Sequence, residues 1–174
     1  MPTAKQNNHL DFWKDFDNHA KTRSLLKKHG IMTETTEFDA MVFEVSRCWM
    51  KLAKSHISEA KSCHSQMNKR AFYSRAYYSV YNASKAVRYL VKGAVSDRGD
   101  DHQKISDLPP DFPDWEEWGR FLRNMYQFRL IADYDGWNGS TRKLSSDTAN
   151  HLKKSKKFIF VAKDYLKTKF GEKI

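Results

Sequence analysis

The segment from Asn68 to Gly93 reads NKRAFYSRAYYSVYNASKAVRYLVKG and carries the clearest helical pattern in the chain. Its apolar residues recur every three or four positions, which is the period of one face of an α-helix. These residues are Ala76, Val80, Ala83, Val87 and Leu90. Asparagine is favoured just before a helix and glycine just after one, so the segment predicts a helix over residues 69–92.

Two more long helices follow from the same reasoning. Apolar residues that recur every three to five positions predict an amphipathic helix near residues 38–67. A last helix is predicted from about Ser146 to Phe170, with Gly171 as its stop. Residues 1–36 predict a helical extension followed by a linker. The apolar residues of this extension are Leu10, Trp13, Phe16, Leu25 and Leu26.

A fourth main helix is predicted to begin in the acidic segment before the last one. Asp114 and Glu117 form a D-x-x-E capping arrangement. The helix that begins there is predicted to end near Ala132. No segment shows a sustained period of two residues, which is typical of strands. The chain therefore predicts an all-α fold, an antiparallel bundle of four main helices in residues 37–174 with an N-terminal helical extension in residues 1–36.

Composition narrows the class of protein further. The chain has 174 residues, of which 40% are hydrophobic and 14% aromatic, which suits one domain with a packed core rather than a disordered chain. No apolar run approaches the roughly 20 residues of a membrane span. The N-terminus, MPTAKQNNHL, lacks the apolar core of a signal peptide. We therefore expect a cytoplasmic protein with no membrane partner.

The net charge of +10 is distributed unevenly. Residues 142–174 hold 10 basic and 3 acidic side chains, whereas residues 94–141 hold 5 basic and 10 acidic ones. Four lysines of the last helix lie opposite its apolar stripe: Lys153, Lys154, Lys156 and Lys157. Such a face is typical of a solvated surface. It would also suit the phosphates of RNA, which attract basic side chains irrespective of sequence.

Two segments form a pair of motifs. The first is RAFYSRAYYSVYNASKA at residues 70–86, and the second is RLIADYD at residues 129–135. The first resembles the R-A-Y-Y-A-x-F/Y-x-A-x-K-A helix of HEPN domains (higher eukaryotes and prokaryotes nucleotide-binding). The second resembles the R-x-x-A-D-Y-D ending of one prokaryotic branch of that family. Between them, His102 lies where that branch often has a His-Lys element.

This resemblance implies a helical bundle that is commonly homodimeric, with the segments around Arg75 and Arg129 near the two-fold groove. Many HEPN domains are metal-independent endoribonucleases of toxin–antitoxin, CRISPR or phage-defence systems. Others are non-catalytic modules, and some pair with a minimal nucleotidyltransferase that acts as antitoxin. The resemblance therefore implies an RNA-directed protein. It is either an endoribonuclease or a non-catalytic module that dimerises and binds RNA, nucleotide or a protein partner.

The catalytic branches of that family carry an arginine followed four to six residues later by a histidine. Here no histidine follows Arg129 within six residues, and Asp133 or Tyr134 occupies that position. The candidate catalytic residues are therefore Arg129, to hold the scissile phosphate, with His102, Asp133 or Tyr134 to move the proton. The alternative is a helix-terminal ion pair between Arg129 and Asp133, which lie four residues apart.

Other candidates for RNA contact lie on the helix over residues 69–92. Arg75 and Asn82 share a face with Ser79, which indicates either a polar groove shared with Arg129 or an exposed helix face. Four tyrosines of this helix could stack on bases, but a bundle more often packs such rings in its core with the hydroxyls at the rim, as we expect here. They are Tyr73, Tyr77, Tyr78 and Tyr81.

A metal site receives little support from the sequence. His56, Glu59 and Cys63 lie at i, i+3 and i+7, a spacing that could hold a metal, but no fourth ligand is evident. No P-loop or Rossmann glycine pattern is present in the sequence, so we expect no metal and no cofactor. Cys48 and Cys63 would be roughly 22 Å apart along one helix, too far for a disulfide.

Overall fold

The protein is described by a computed structural model over residues 18–30, 36–95, 100–135 and 144–171. The helices are α1 (His19–Lys28), α2 (Thr36–Ser65), α3 (Lys69–Lys92), α4 (Trp115–Tyr134) and α5 (Thr148–Phe170), with a 3-10 helix at Gln103–Ser106 before α4. No strand occurs within the described ranges. The prediction of an all-α helical bundle is confirmed. The predicted stripe of Leu10, Trp13 and Phe16 lies outside the described residues.

Helix α3 is the centre of the bundle. Fifteen of its 24 residues are buried, because α2, α4 and α5 all pack against it. Ala83 and Ala86 are fully buried, and their small side chains let α2 approach closely. At this contact the hydroxyl of Ser46 on α2 donates a hydrogen bond to the carbonyl of Ala86 at 3.4 Å.

The predicted boundaries of α3 are confirmed. The side chain of Asn68 accepts a hydrogen bond from the backbone N–H of Ala71 at 3.1 Å, which caps the first turn. Gly93 follows the last turn with φ at 77°, and its N–H bonds to the carbonyl of Tyr89 at 3.0 Å. Local residue chemistry thus determines both ends of the central helix.

The predicted capping arrangement at the start of α4 is wrong. Asp114 adopts a left-handed conformation with φ at 51°, and its side chain makes no capping hydrogen bond. An N-cap side chain reaches the first turn from an extended conformation, which Asp114 does not have. The turn before it is anchored by Phe112, which is 2% exposed and contacts the rings of Phe158 and Tyr165 on α5. Tertiary packing of this turn therefore overrides the local capping signal.

Helix α1 packs on the C-terminal end of α3. The N–H of Ala20 donates to the carbonyl of Gly93 at 3.2 Å, and Nε2 of His19 donates to the carbonyl of Tyr89 at 2.9 Å. The ring of His19 also meets the ring of Tyr89 edge to face, with centroids 4.7 Å apart. None of the described helices has both the length and the apolar character that a bilayer crossing requires.

Candidate functional site

Arg129 lies in the last turns of α4, within a group of tyrosines. Its Nη2 donates to the hydroxyls of Tyr78 at 3.3 Å and Tyr134 at 3.1 Å. Its guanidinium carbon lies 5.9 Å from the ring centroids of Tyr77 and Tyr78 and 5.0 Å from that of Tyr134. Its Nε lies 2.8 Å from Oδ2 of Asp133, so the expected ion pair is present. The guanidinium is therefore held by several side chains at once.

The length of α4 contributes to this arrangement. The sequence predicts an end near Ala132, but the helix continues to Tyr134. Asp133 and Tyr134 are therefore helical, and a residue four positions from Arg129 lies on the same face of the helix. These two additional helical residues place the side chains of Asp133 and Tyr134 in contact with Arg129.

His102 joins the same group from the loop before the 3-10 helix. Its Nδ1 lies 2.6 Å from the hydroxyl of Tyr77, and its ring stacks on Tyr81 with centroids 4.5 Å apart. Burial lowers the pKa of His102, and the positive charge of Arg129 lowers it further. The imidazole is therefore neutral at pH 7, with one ring nitrogen engaged by a phenol. We call Arg129, His102, Tyr77, Tyr78, Tyr81 and Tyr134 the tyrosine cluster.

The expectation that tyrosines of α3 are core residues is confirmed for Tyr73, Tyr77 and Tyr81. Tyr73 and Tyr77 are fully buried and Tyr81 is 9% exposed, while Tyr78 is half-buried. Burial raises the pKa of Tyr77 and of Tyr81, so both phenols keep their protons at neutral pH. Because the rings of Tyr73 and Tyr77 have no exposed area, they do not offer a stacking surface to a base.

A buried ion pair lies behind His102 and was missed by the sequence analysis. Arg88 is 3% exposed and Asp101 is 5% exposed. Nη1 of Arg88 donates a hydrogen bond to Oδ1 of Asp101 at 2.6 Å, and Nη2 donates one to Oδ2 at 3.2 Å. The hydroxyl of Tyr81 donates to Oδ2 of Asp101 at 2.6 Å. Burial alone would raise the pKa of Asp101, but the bonds and charge of Arg88 outweigh it and lower the pKa to about 2.

The position of Arg88 in the sequence indicates that it has a buried partner of opposite charge. Arg88 interrupts the apolar C-terminal half of α3, directly after Val87 in its stripe, where a charge requires a buried partner. The sequence does not say which acid supplies it, because the acidic loop that follows offers several. Asp101 directly precedes His102, so the ion pair fixes the backbone next to the imidazole.

The two other predicted RNA-binding residues of α3 have different environments. Arg75 is exposed, and its Nε lies 3.1 Å from Oε2 of Glu59 on α2. Asn82 is 7% exposed, and its amide donates to the carbonyl of Tyr78 at 2.8 Å. Ser79, on the same face, is fully buried. The expected exposed face thus holds for Arg75 alone, while Asn82 is buried and bonds to the backbone of its own helix.

The four predicted lysines of α5 are all exposed. Nζ of Lys154 lies 3.8 Å from Oε1 of Glu117, and Nζ of Lys157 lies 6.0 Å from the ring centroid of Trp118. Lys154 and Lys157 therefore lie beside the first turns of α4, whereas Arg129 lies about 16 Å further along that helix. The lysine face and the tyrosine cluster are separate surfaces.

The spacing that could have held a metal does not gather ligands. Nδ1 of His56 lies 3.7 Å from Oε2 of Glu59, which also pairs with Arg75. Across the residues that the structure describes, no three His, Cys, Asp or Glu side chains are arranged to hold a metal ion. Cys48 and Cys63 are both free thiols.

Comparisons with protein-family models, with curated proteins and with solved structures found no match to this chain. The function of the protein is therefore inferred from the chemistry of the cluster. That chemistry combines a fixed guanidinium, a neutral imidazole and the protonated phenols of Tyr77 and Tyr81. A guanidinium can hold a phosphate through paired hydrogen bonds, and a neutral imidazole can accept a proton.

Proposed function

We propose that the protein is an RNA-directed protein of the HEPN type and that the tyrosine cluster is a metal-independent endoribonuclease site. The observation that carries the proposal is that His102 and Arg129 both lie against Tyr77. A histidine thus stands near the arginine although none follows it within six residues of sequence. This supplies the group that general acid–base cleavage needs.

The proposed reaction is an attack by the RNA on its own backbone. The neutral imidazole of His102 accepts the proton of a 2′-hydroxyl, and that oxygen attacks the adjacent phosphorus. The bond from phosphorus to the 5′-oxygen breaks, which leaves a 2′,3′-cyclic phosphate and a 5′-oxygen that takes a proton from the Tyr134 hydroxyl or from water. Arg129 neutralises the charge that develops on the phosphate.

A non-catalytic module is the second candidate, and the pairing of Arg129 favours it. Its Nε faces Asp133 and its Nη2 donates to two tyrosine hydroxyls, so the guanidinium also serves as a structural anchor of the cluster. In this alternative the protein dimerises around the segments of Arg75 and Arg129 and binds RNA, nucleotide or a nucleotidyltransferase partner. The homodimer and the cytoplasmic location belong to both proposals.

The deciding experiment is an RNA digestion in EDTA. Removal of a general base typically costs 10²–10⁴-fold in rate, so His102→Ala should lower cleavage by at least about 100-fold. Arg129→Lys should also be defective, because an ammonium lacks the bidentate fork. His29→Ala, which changes an exposed histidine directly after α1, is the matched control. Unchanged cleavage by His102→Ala refutes the site, and RNA binding without cleavage of any RNA favours the module.

A second measurement tests the pairing of the two residues without relying on activity. Arg129→Gln removes a positive charge that lowers the pKa of His102, so that pKa should rise towards its ordinary value of about 6.5. The titration of the His102 ring by NMR reads this shift directly. If the pKa of His102 does not change in Arg129→Gln, the charge of Arg129 does not act on the imidazole, and the proposed site loses its basis.

A further inference from the structure

A basic groove of about 140 Å³ lies between α2 and α5. Its lining residues are Arg47, Met50, Lys51, Lys54 and Lys163. The carboxylate of Glu44 forms ion pairs with both Arg47, at 2.8 Å, and Lys51, at 3.6 Å. Lys54 and Lys163 form no ion pair within the described part of the chain. The groove therefore keeps an excess of positive charge.

Phe160 lies on the solvent side of α5 and is 70% exposed. The other phenylalanines that the structure describes are buried or half-buried. Phe160 lies four residues after Lys156 and three before Lys163, so these three side chains share one face of the helix. Its large apolar ring lies between two lysines and is accessible to a ligand.

This surface is separate from the tyrosine cluster. Lys54 and His56 are two residues apart on α2, which places them about 200° apart around the helix axis. Lys54 faces the groove, whereas the ring of His56 contacts Tyr78 of the cluster, with centroids 5.7 Å apart. A ligand can therefore occupy the groove without displacing any side chain that surrounds Arg129.

We propose that the groove and Phe160 form a binding surface for single-stranded RNA. Lys54 and Lys163 contact successive phosphates, and Phe160 stacks on an unpaired base. Basic side chains gain affinity for a nucleic-acid backbone by releasing its counterions, and an aromatic ring stacks on any base that is not already paired. Lys156 makes the surface continuous with the lysine face of α5. The ligand class rests on the proposed RNA-directed function, but cleavage is not required.

The test is fluorescence anisotropy with a labelled single-stranded 2′-O-methyl RNA of mixed sequence and with its duplex. The methyl group blocks the attacking hydroxyl, so binding is measured without cleavage. Phe160→Ala should weaken binding of the single strand about tenfold and change binding of the duplex less than about twofold. Phe160→Tyr keeps a stacking ring and should bind nearly as the wild type does.

The lysines are tested by the salt dependence of binding. The double variant Lys54→Gln, Lys163→Gln should lower affinity and reduce the slope of log K against log salt by about 1.4, or about 0.7 for each lost phosphate contact on a single strand. The control is Lys27→Gln with Lys61→Gln, two exposed lysines outside the groove, which should leave the slope unchanged. Circular dichroism and a thermal melt confirm that each variant is folded.

Each remaining outcome contradicts a defined part of the proposal. Wild-type protein that binds no RNA at low salt overturns the RNA-directed function and this surface together. RNA binding that is equal in the groove variants and the control overturns the surface alone. Poly-glutamate and unlabelled RNA are compared as competitors at equal concentrations of negative charge. If poly-glutamate displaces the labelled RNA more effectively, the groove binds an acidic protein and the RNA assignment is overturned. Loss of self-association in Phe160→Ala, with RNA affinity unchanged, assigns Phe160 to a contact between copies.

Discussion

Among single residues, Arg88 and Asp101 hold the loop that carries His102 against α3. Their ion pair is almost inaccessible to solvent, and its remaining polar atoms are engaged by Tyr81 and by Ser84, whose hydroxyl lies 3.3 Å from Nε of Arg88. Removing two charges from water is costly unless such additional bonds are made. The pair therefore stabilises one position of the loop that carries His102.

Asp101→Asn should destabilise the fold strongly, because it leaves the charge of Arg88 buried without a counter-charge. The expected cost is about 3–5 kcal/mol in the free energy of unfolding, measured with urea. The double variant with Arg88→Met should recover part of that loss. Lys104→Ala, which removes an exposed ion pair with Asp100, should cost less than about 1 kcal/mol. Equal costs for Asp101→Asn and Lys104→Ala would contradict this account.

Among the helices, the contact of α1 with the end of α3 depends on one glycine. Gly93 has φ at 77°, and a Cβ atom added there would lie 2.6 Å from Cβ of Ala20. Side chains other than glycine rarely adopt this conformation, and the space is already filled. Glycine at this position thus ends α3 and lets α1 lie against it.

Gly93→Ala should therefore destabilise the protein and loosen α1. Gly30→Ala is the matched control, since Gly30 also has a positive φ, of 62°, but has nothing within 4 Å of an added Cβ. The control should cost about 1 kcal/mol in unfolding free energy from backbone strain, and Gly93→Ala should cost more. The amide of Ala20, which bonds to the carbonyl of Gly93, should exchange its hydrogen faster in Gly93→Ala only. Equal costs and equal exchange would contradict the proposed contact.

For the whole molecule, stability should depend on pH through two histidines and one aspartate. Burial lowers the pKa of His19 and of His102, so the folded chain binds fewer protons than the unfolded chain just below pH 6.5. Where the unfolded state binds more protons, the free energy of unfolding falls as pH falls. Asp101 adds a second loss of stability at lower pH. Its pKa is 3.8 in the unfolded chain and about 2 in the folded chain, so between these values the unfolded chain binds more protons.

We therefore expect unfolding free energy to decrease from pH 7 to pH 5 and to decrease again below pH 4. Urea titrations at a series of pH values measure both steps. His102→Gln should reduce the first step, because its contribution to proton uptake on unfolding is lost. His29→Gln, at an exposed site, should leave the first step unchanged. A first step of the same size in His102→Gln would show that this histidine is not held neutral by the fold.

The helices could be predicted because their signals are local. The cap of Asn68, the stop at Gly93 and the apolar period between them act within one or two turns, so neighbouring residues are sufficient. The same locality explains the ion pair of Arg129 with Asp133, four residues away on one helix. The choice of the catalytic candidates is a prediction from the two motifs at residues 70–86 and 129–135.

Tertiary structure decided what these local signals could not. The contact of His102 with Tyr77 joins a loop to the central helix, and the choice of Asp101 as the partner of Arg88 joins the same two elements. Such contacts form only when burial brings distant segments of the chain together. The spacing of residues in the sequence does not predict the distances between their side chains in the fold. The failed cap at Asp114 has the same cause: packing of a neighbouring aromatic residue fixed its backbone, and a local preference of about 1 kcal/mol yielded to it.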